Sequence, residues 1–378
     1  MRKLVGIALC GLMVSTLFLS ACSSAPKEVK IGLVVPLSGG SAGPGINLQR
    51  GVMLAAEDMN AKGGIKGMQV KVLSEDDESN PVKTVNAVKK LIYEDKAVVV
   101  IGSNASSCTL AAMDVAAKAK VPLITPSSSS DEITRQGNKY IFRVTASNST
   151  QANALVDYAV QQLGLKKMAI VYASDDYGTN AKEAVVARLA THGLTPLAVE
   201  AFQPKDKDLS SQLTKVKATG AEGLFFLAMY DPCALAAKTL QQMGYMPQIM
   251  GLGALTNVRL VELAGDAAMG IINTQMYVPE GKTEADKAFI EKYKAKYNTL
   301  PDYYVALAYD SMMVAAKAIE RAGSLDPQKI RDELAKTKDH PGLGGNLTFD
   351  ETGDVQRSVK IVKVVGVNPP KYEVVWPK

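Results

Sequence analysis

The stretch "KAVVVIGSNASSCTLAAMDVAAKAKVPLITPSSSS", Lys96–Ser130, decides how the rest of the chain is read. "AVVVIG" is a short, continuously apolar run, the mark of a strand buried on both faces. "SCTLAAMDVAAKAK" is alanine-rich and reads as a helix, and "VPLIT" is a second buried strand. Strand, helix and strand in short succession make a βαβ unit, which implies parallel strands. Ligands of open parallel sheets bind beyond the carboxyl ends of the strands. Both ends here carry polar residues: Ser103, Asn104, Ser106, Ser107, Cys108 and Thr109 after the first, Thr125 and the serines 127–130 after the second. A nucleophile, a phosphate cradle and a carboxylate-binding site all fit that placement.

The same alternation extends both ways. Before it come strand "VKIGLVV", helix "INLQRGVMLAAEDMN", strand "MQVKVLSED" and helix "NPVKTVNAVKKLIYE". After "YIFRVTASN" a second βα series runs through the strands "KKMAIVYA", "LTPLAVEAF", "EGLFFLAM" and "PQIMGLG". Helices follow, "EADKAFIEKYKAKYN", "YYVALAYDSMMVAAKAIERAG" and "DPQKIRDELAKT". The C-terminus is β-rich, with "NLTFDETGDVQRSVKIVKVVG" read as a hairpin turning at "ETGD". The expected class is α/β: two Rossmann-like lobes with mostly parallel sheets flanked by helices. No low-complexity linker separates the series, which suggests several chain crossings between the lobes.

Length and charge agree with this reading. The chain has 378 residues, 47% of them apolar, and a formal net charge of +5. That balance is too mild for nucleic-acid binding. The N-terminus is more specific. "MRK" and "LVGIALCGLMVSTLF" form a basic then apolar segment shorter than a membrane span, as in a signal peptide. "LSAC", Leu19–Cys22, matches a lipobox, and "SSAPKE" reads as a tether; an A-x-A-like cleavage site is nowhere better placed. The expectation is a signal peptide over 1–21, lipidation of Cys22 and a tether over 22–28, which puts the protein at the cell envelope, anchored to a membrane. Cys10 leaves with the signal, so Cys108 and Cys233 remain; they are expected as free thiols on opposite lobes rather than as a disulfide.

Catalysis finds little support. Only His192 and His340 exist, both in settings that read as ordinary surface, and neither lies near the strand ends. There is no G-x-S-x-G elbow, P-loop or metal-spaced His/Cys set, so no cofactor and no metal are expected. The acidic run "EDDES", Glu75–Ser79, lacks EF-hand spacing and reads as a solvated strand end. Second-lobe strand ends supply "YASDDYGTN" and "LAMYDPCAL", where Tyr177 and Tyr230 could face the first lobe across a cleft.

Taken together, "IGLVVPLSGGSAGPGINLQRGVMLAAEDMNAKGGIKG", "VVVIGSNASSCT", "VPLITPSSSS", "DDYG" and "LPDYYVALAYDS" resemble bacterial leucine/isoleucine/valine-type binding proteins, substrate-binding components of ABC transporters with the type I periplasmic binding protein fold. The resemblance covers the chain after Pro26. It implies two lobes joined by three crossovers, 29–146 plus 277–351 and 147–276 plus 352–378, closing on a small ligand. It implies that Ser106 holds a ligand carboxylate, that the Ser127 carbonyl faces a ligand ammonium, that Ser129 contacts both, and that Tyr177 and Tyr230 line the cleft. Two positions depart from the pattern: Gly253 stands where leucine-binding members carry a glutamate, and Pro44 where they carry a tryptophan. Asp231 is the candidate replacement for the glutamate, with a helix N-cap as its alternative role. The implied function is an extracytoplasmic lipoprotein that delivers an amino acid or similar small carboxylate to an ABC permease and ATPase; a ligand-sensing or envelope-regulating lipoprotein is the alternative.

Overall fold

The computed structural model describes residues 28–255 and 257–377. The expected signal peptide, Cys10, the Cys22 lipidation site and the tether up to residue 27 lie outside the described residues. Five parallel strands form the first sheet: β1 (Glu28–Val35), β2 (Gln69–Asp76), β3 (Val99–Gly102), β4 (Leu123–Thr125) and β5 (Ile141–Arg143), in the order β2-β1-β3-β4-β5. Between them run the helices α1 (Ala42–Ala61), α2 (Pro81–Lys89), α3 (Ser106–Ala119) and the short α4 (Glu132–Arg135). The second series has α5 (Asn148–Asp157), β6 (Met168–Ala173), α6 (Asp176–Thr191), β7 (Val199–Phe202), α7 (Ser210–Ala218), β8 (Gly223–Leu227), α8 (Tyr230–Gln242), β9 (Gln248–Gly251), α9 (Val258–Ala264) and β10 (Ile272–Gln275).

The chain then returns. Helices α10 (Glu284–Tyr297), α11 (Tyr303–Ala322) and α12 (Pro327–Ala335) follow, and α11 and α12 pack with α1 in the core of the first sheet. Leu48, Val52, Ala55, Ala56 and Met59 give α1 a buried stripe at helical spacing. Gly51 lets α1 and α11 touch: a Cβ there would lie 2.2 Å from the Val305 carbonyl oxygen. A small hairpin, β11 (Thr348–Phe349) with β12 (Val355–Gln356), turns through the expected "ETGD". The rest of the expected hairpin belongs elsewhere. β13 (Lys360–Val367) pairs antiparallel with β10 and with β14 (Pro370–Trp376), completing a second sheet of order β14-β13-β10-β9-β8-β6-β7.

Three passages therefore join the sheets, after β5, after β10 and after β12. Val355 and Val359 stay in the first core, so the third passage comes a few residues after the division at 351/352 read from the sequence. Buried arginines tie the passages together. Arg143, fully buried, donates through Nε to Asp354 (2.9 Å). Arg357 pairs with buried Asp310 (2.6 Å) and donates to the Val144 carbonyl (3.4 Å). A guanidinium buried without such partners would be costly, so these pairs fix the chain's path where it changes sheets.

Candidate functional site

The carboxyl ends of both sheets face each other across a cleft of about 730 Å³. That volume lies within the roughly 300–1,000 Å³ usual for small-molecule sites. All six residues expected to bind ligand line it: Ser106, Ser127 and Ser129 from the first sheet, Tyr177, Tyr230 and Asp231 from the second.

On the first wall, α3 begins at Ser106. Its N-cap is Ala105, which has no side-chain oxygen, so the first amides of a fourteen-residue helix are uncapped. Unpaired N–H groups and the positive end of the helix dipole favour an anion there. Neither Ser106 nor Ser107 acts as a cap. Ser106 is buried; its Oγ accepts the Ser130 N–H (3.2 Å) and has no protein acceptor for its own proton among the described residues. Ser127 Oγ donates to Asn104 Oδ1 (3.0 Å), and the Ser129 carbonyl accepts the Asn148 N–H (2.7 Å). Arg143 donates to the Ser130 carbonyl, anchoring this loop to the passage between the sheets.

The wall is held from behind by a buried polar network. Thr109 Oγ1 accepts the Ser103 N–H (3.2 Å) and lies 2.8 Å from Ser128 Oγ, which also donates to the Ser103 carbonyl (3.0 Å). Asp77 completes it. Its carboxylate accepts from the hydroxyls of Ser103 and Thr84 and from the Ser79 N–H, and the residue is fully buried. This corrects the reading of "EDDES" as a solvated strand end at Asp77, while Glu78 stays exposed. Burial pushes the Asp77 carboxyl upward, and the hydrogen bonds from Ser103, Ser79 and Thr84 only partly oppose it. Its neighbour Asp76 accepts the Leu37 N–H (2.8 Å) and the Ser38 hydroxyl (2.6 Å), pinning the loop after β1. Nothing local marks Asp77 as the buried one of the pair, since its side-chain partners come from the loop after β3 and from α2.

The opposite wall is built on α6 and α8. Asp175 caps α6 by accepting the Gly178 N–H (2.8 Å) and lines the cleft, its carboxyl raised by burial. Tyr177 is buried beside it and lines the cleft. Tyr230 opens α8, is buried, and spans the gap: its hydroxyl lies 3.3 Å from where a Cβ on Gly43 of α1 would be. Burial, with Asp231 adjacent, pushes its phenol up to about 12, so it stays a neutral donor. The N-cap of α8 is Met229, so Asp231 is not the cap. It lies in the first turn at the cleft mouth, its carboxyl raised by partial burial against the opposing pull of Arg259 and Lys207.

Several lining residues were given no role by sequence reasoning: Tyr303 and Tyr304 at the start of α11, Gln151 on α5, and Asn104. Tyr303 and Tyr304 stand edge to face with centroids 5.2 Å apart, and with Tyr177 and Tyr230 they make an aromatic surround. The signal was the pair "YY" directly after Asp302, the N-cap of α11, which places both rings at a helix start. Gln151 explains Gly253. Its Oε1 accepts the Gly253 N–H (2.8 Å) and the Thr274 hydroxyl (2.7 Å), and a Cβ on Gly253 would lie 3.0 Å from both that oxygen and the Tyr303 hydroxyl. A neutral amide thus fills the space beside residue 253. Pro44 is buried within α1 and is not among the lining residues. Cys108 and Cys233 are both free and buried, on α3 and α8, and neither lines the cleft.

Two layered α/β sheets with a polar cleft between their carboxyl ends, joined by three passages, define a binding-protein architecture. The chain belongs to the periplasmic binding protein family, whose model matches residues 28–368. It is 31% identical over 335 residues to the leucine-, isoleucine-, valine-, threonine- and alanine-binding protein of Pseudomonas aeruginosa, covering 88% of this chain and 89% of that one. A leucine-binding protein of Thermotoga maritima superposes with a TM-score of 0.87 at 30% identity, over 92% of this chain and 98% of its own. The branched-chain amino acid substrate-binding protein of Streptococcus pneumoniae, solved with isoleucine, gives 0.84 at 30% identity over 92% and 99%. Members of this family are binding proteins rather than enzymes.

Proposed function

We propose that this protein is a lipid-anchored, extracytoplasmic solute-binding protein that closes on an amino acid, branched-chain or related, or a similar small carboxylate, and delivers it to an ABC permease and its ATPase. One observation carries the reading: the uncapped start of α3 and the Ser106 hydroxyl face the cleft, opposite the neutral phenol of Tyr230. A carboxylate suits the first and an apolar or amphipathic remainder suits the tyrosine surround. The names of the Pseudomonas, Thermotoga and Streptococcus relatives support the amino-acid class. Ser129 reaches both ends of the ligand, the Ser127 carbonyl faces its ammonium, and Asp231 receives that ammonium in place of the side chain that Gly253 lacks. Closure takes place about the three passages, which the Arg143 and Arg357 pairs keep in register.

A thermal-shift screen against amino acids and small carboxylic acids tests this. A ligand that binds the folded state at about a hundred times its Kd adds about 2.7 kcal/mol of stability. A clear rise in Tm with one of these compounds is expected; a flat response across both classes would remove the proposal. Anchoring is tested separately: Cys22→Ser should move the protein out of the membrane fraction.

A further inference from the structure

The two sheets differ at the ends that face away from the cleft. Four loops there lead into β2, β3, β4 and β5, and they carry Lys62, Lys66, Lys96, Lys120 and Lys139 against two carboxylates, Glu94 and Asp95. All five lysines are exposed, and none forms an ion pair among the described residues. The five corresponding loops into β6–β10 carry Lys166 and Lys167 against Glu222 and Asp266.

Backbone conformation sharpens the contrast. Chains leaving a helix commonly turn through a left-handed residue, which favours glycine. The second sheet follows that rule with Gly164, Gly193, Gly220 and Gly244, at φ of 62–69°. The first sheet places Lys96 (φ 62°) and Lys120 (φ 57°) in the equivalent turns, and Lys66 (φ 50°) beside Gly67 in the tight turn closed by Ile65 and Met68. Folding alone would favour glycine or asparagine at all three. Half-exposed Tyr93 lies in the helical turn that leads into Lys96, adding a ring of the kind that sits at membrane interfaces.

The described chain also starts at this end, since β1 begins at Glu28 beside the loop into β2. Only five residues separate Glu28 from Cys22, a reach of about 20 Å. We propose that this basic end of the first sheet docks on an anionic lipid surface, the pose the molecule takes between encounters with its permease. The siting of the surface rests on the lipid-anchor reading above; the charge contrast and the strained lysines do not. An acyl anchor and a polybasic patch are the two signals that together give stable attachment.

The test is the partition of the full-length protein between buffer and vesicles of phosphatidylglycerol or phosphatidylcholine. Lipidation adds equally to both, so the ratio of the two partition coefficients isolates the basic end. The ratio should be well above one in low salt and collapse in 0.5 M salt, about the concentration where screening acts within a few ångströms. K66G/K96G/K120G should lower the ratio about a hundredfold. Its Tm should stay level or rise, because glycine relieves the left-handed turns. Unchanged ligand affinity is expected too, since these lysines lie at the far end from the cleft. A variant ratio equal to that of the unmodified protein would overturn the proposal. So would tighter binding to soluble dextran sulfate than to phosphatidylglycerol vesicles, which would assign the surface to a soluble polyanion. If mass analysis finds Cys22 unmodified, binding falls on both vesicles alike while the ratio is retained, so the two readings fail separately.

Discussion

Ser106→Ala isolates the carboxylate end of the site. In the protein the Ser106 hydroxyl accepts the Ser130 N–H at 3.2 Å and keeps its proton for the cleft. Truncation removes one hydrogen bond to the ligand carboxylate, a charge-assisted contact of about 1.5–3 kcal/mol. The dissociation constant should therefore rise roughly 10- to 150-fold. The same change orphans a buried amide, which costs about 1–3 kcal/mol and should lower the Tm of the ligand-free protein by a few degrees. Calorimetric titration with the compound that gives the largest thermal shift measures the first effect, and a melt without ligand measures the second. A lowered Tm with unchanged affinity would show that Ser106 supports the loop only, and would refute its role as a carboxylate donor.

Asp231→Asn should weaken ligands that carry an ammonium more than analogues without one; an equal loss for both classes, by calorimetry, would assign Asp231 to structure. Asp77→Ala strips the acceptor from Ser103, Thr84 and the Ser79 amide, and should lower Tm by roughly 2–6 °C by scanning calorimetry, with no such loss expected for an exposed carboxylate such as Glu284. The Asp77 carboxyl titrates above its ordinary 3.8 in the folded chain, so folding takes up a proton there. Its contribution is most favourable at low pH and declines as pH rises from about 3.8 through the folded-state value, and Asp77→Asn should remove that slope. Burial pushes the Cys108 thiol up to about 11 and raises Cys233 further. Both should resist dithiobis(nitrobenzoate) at pH 8 and react fully in guanidinium; rapid labelling of the native protein would contradict the buried placement.

The periodic parts of this protein were legible in its sequence because their causes are local. Continuous apolar runs such as "AVVVIG" and helical stripes such as Val52, Ala55, Ala56 and Met59 specify buried strands and one-sided helices wherever they occur. Strand ends then locate the cleft with its serine clusters and Tyr177 and Tyr230, and the family resemblance singles out Ser106, Ser127, Ser129 and Asp231. What escaped depends on partners far away in the chain. Asp77 looks no different from Asp76 until β3 and α2 fold over it, and Gln151 gains its meaning only from Gly253, 102 residues on. Tyr303 and Tyr304 reach the cleft because the chain returns to the first sheet after β10, a passage that no local pattern dictates. The C-terminal hairpin is cut short for the same reason: β13 pairs with β10 and β14 in the second sheet instead of extending the arm that β12 begins.

The central claim is that a carboxylate-bearing ligand lies between the sheets with its acid at the start of α3. Diffraction from crystals grown with the ligand that raises Tm most tests it directly. The account predicts a carboxylate oxygen within hydrogen-bonding distance of Ser106 Oγ and an α3 amide, with Tyr230 closed over the other end. A ligand bound with its carboxylate turned toward Lys207 and Arg259, or bound outside this cleft, would contradict it.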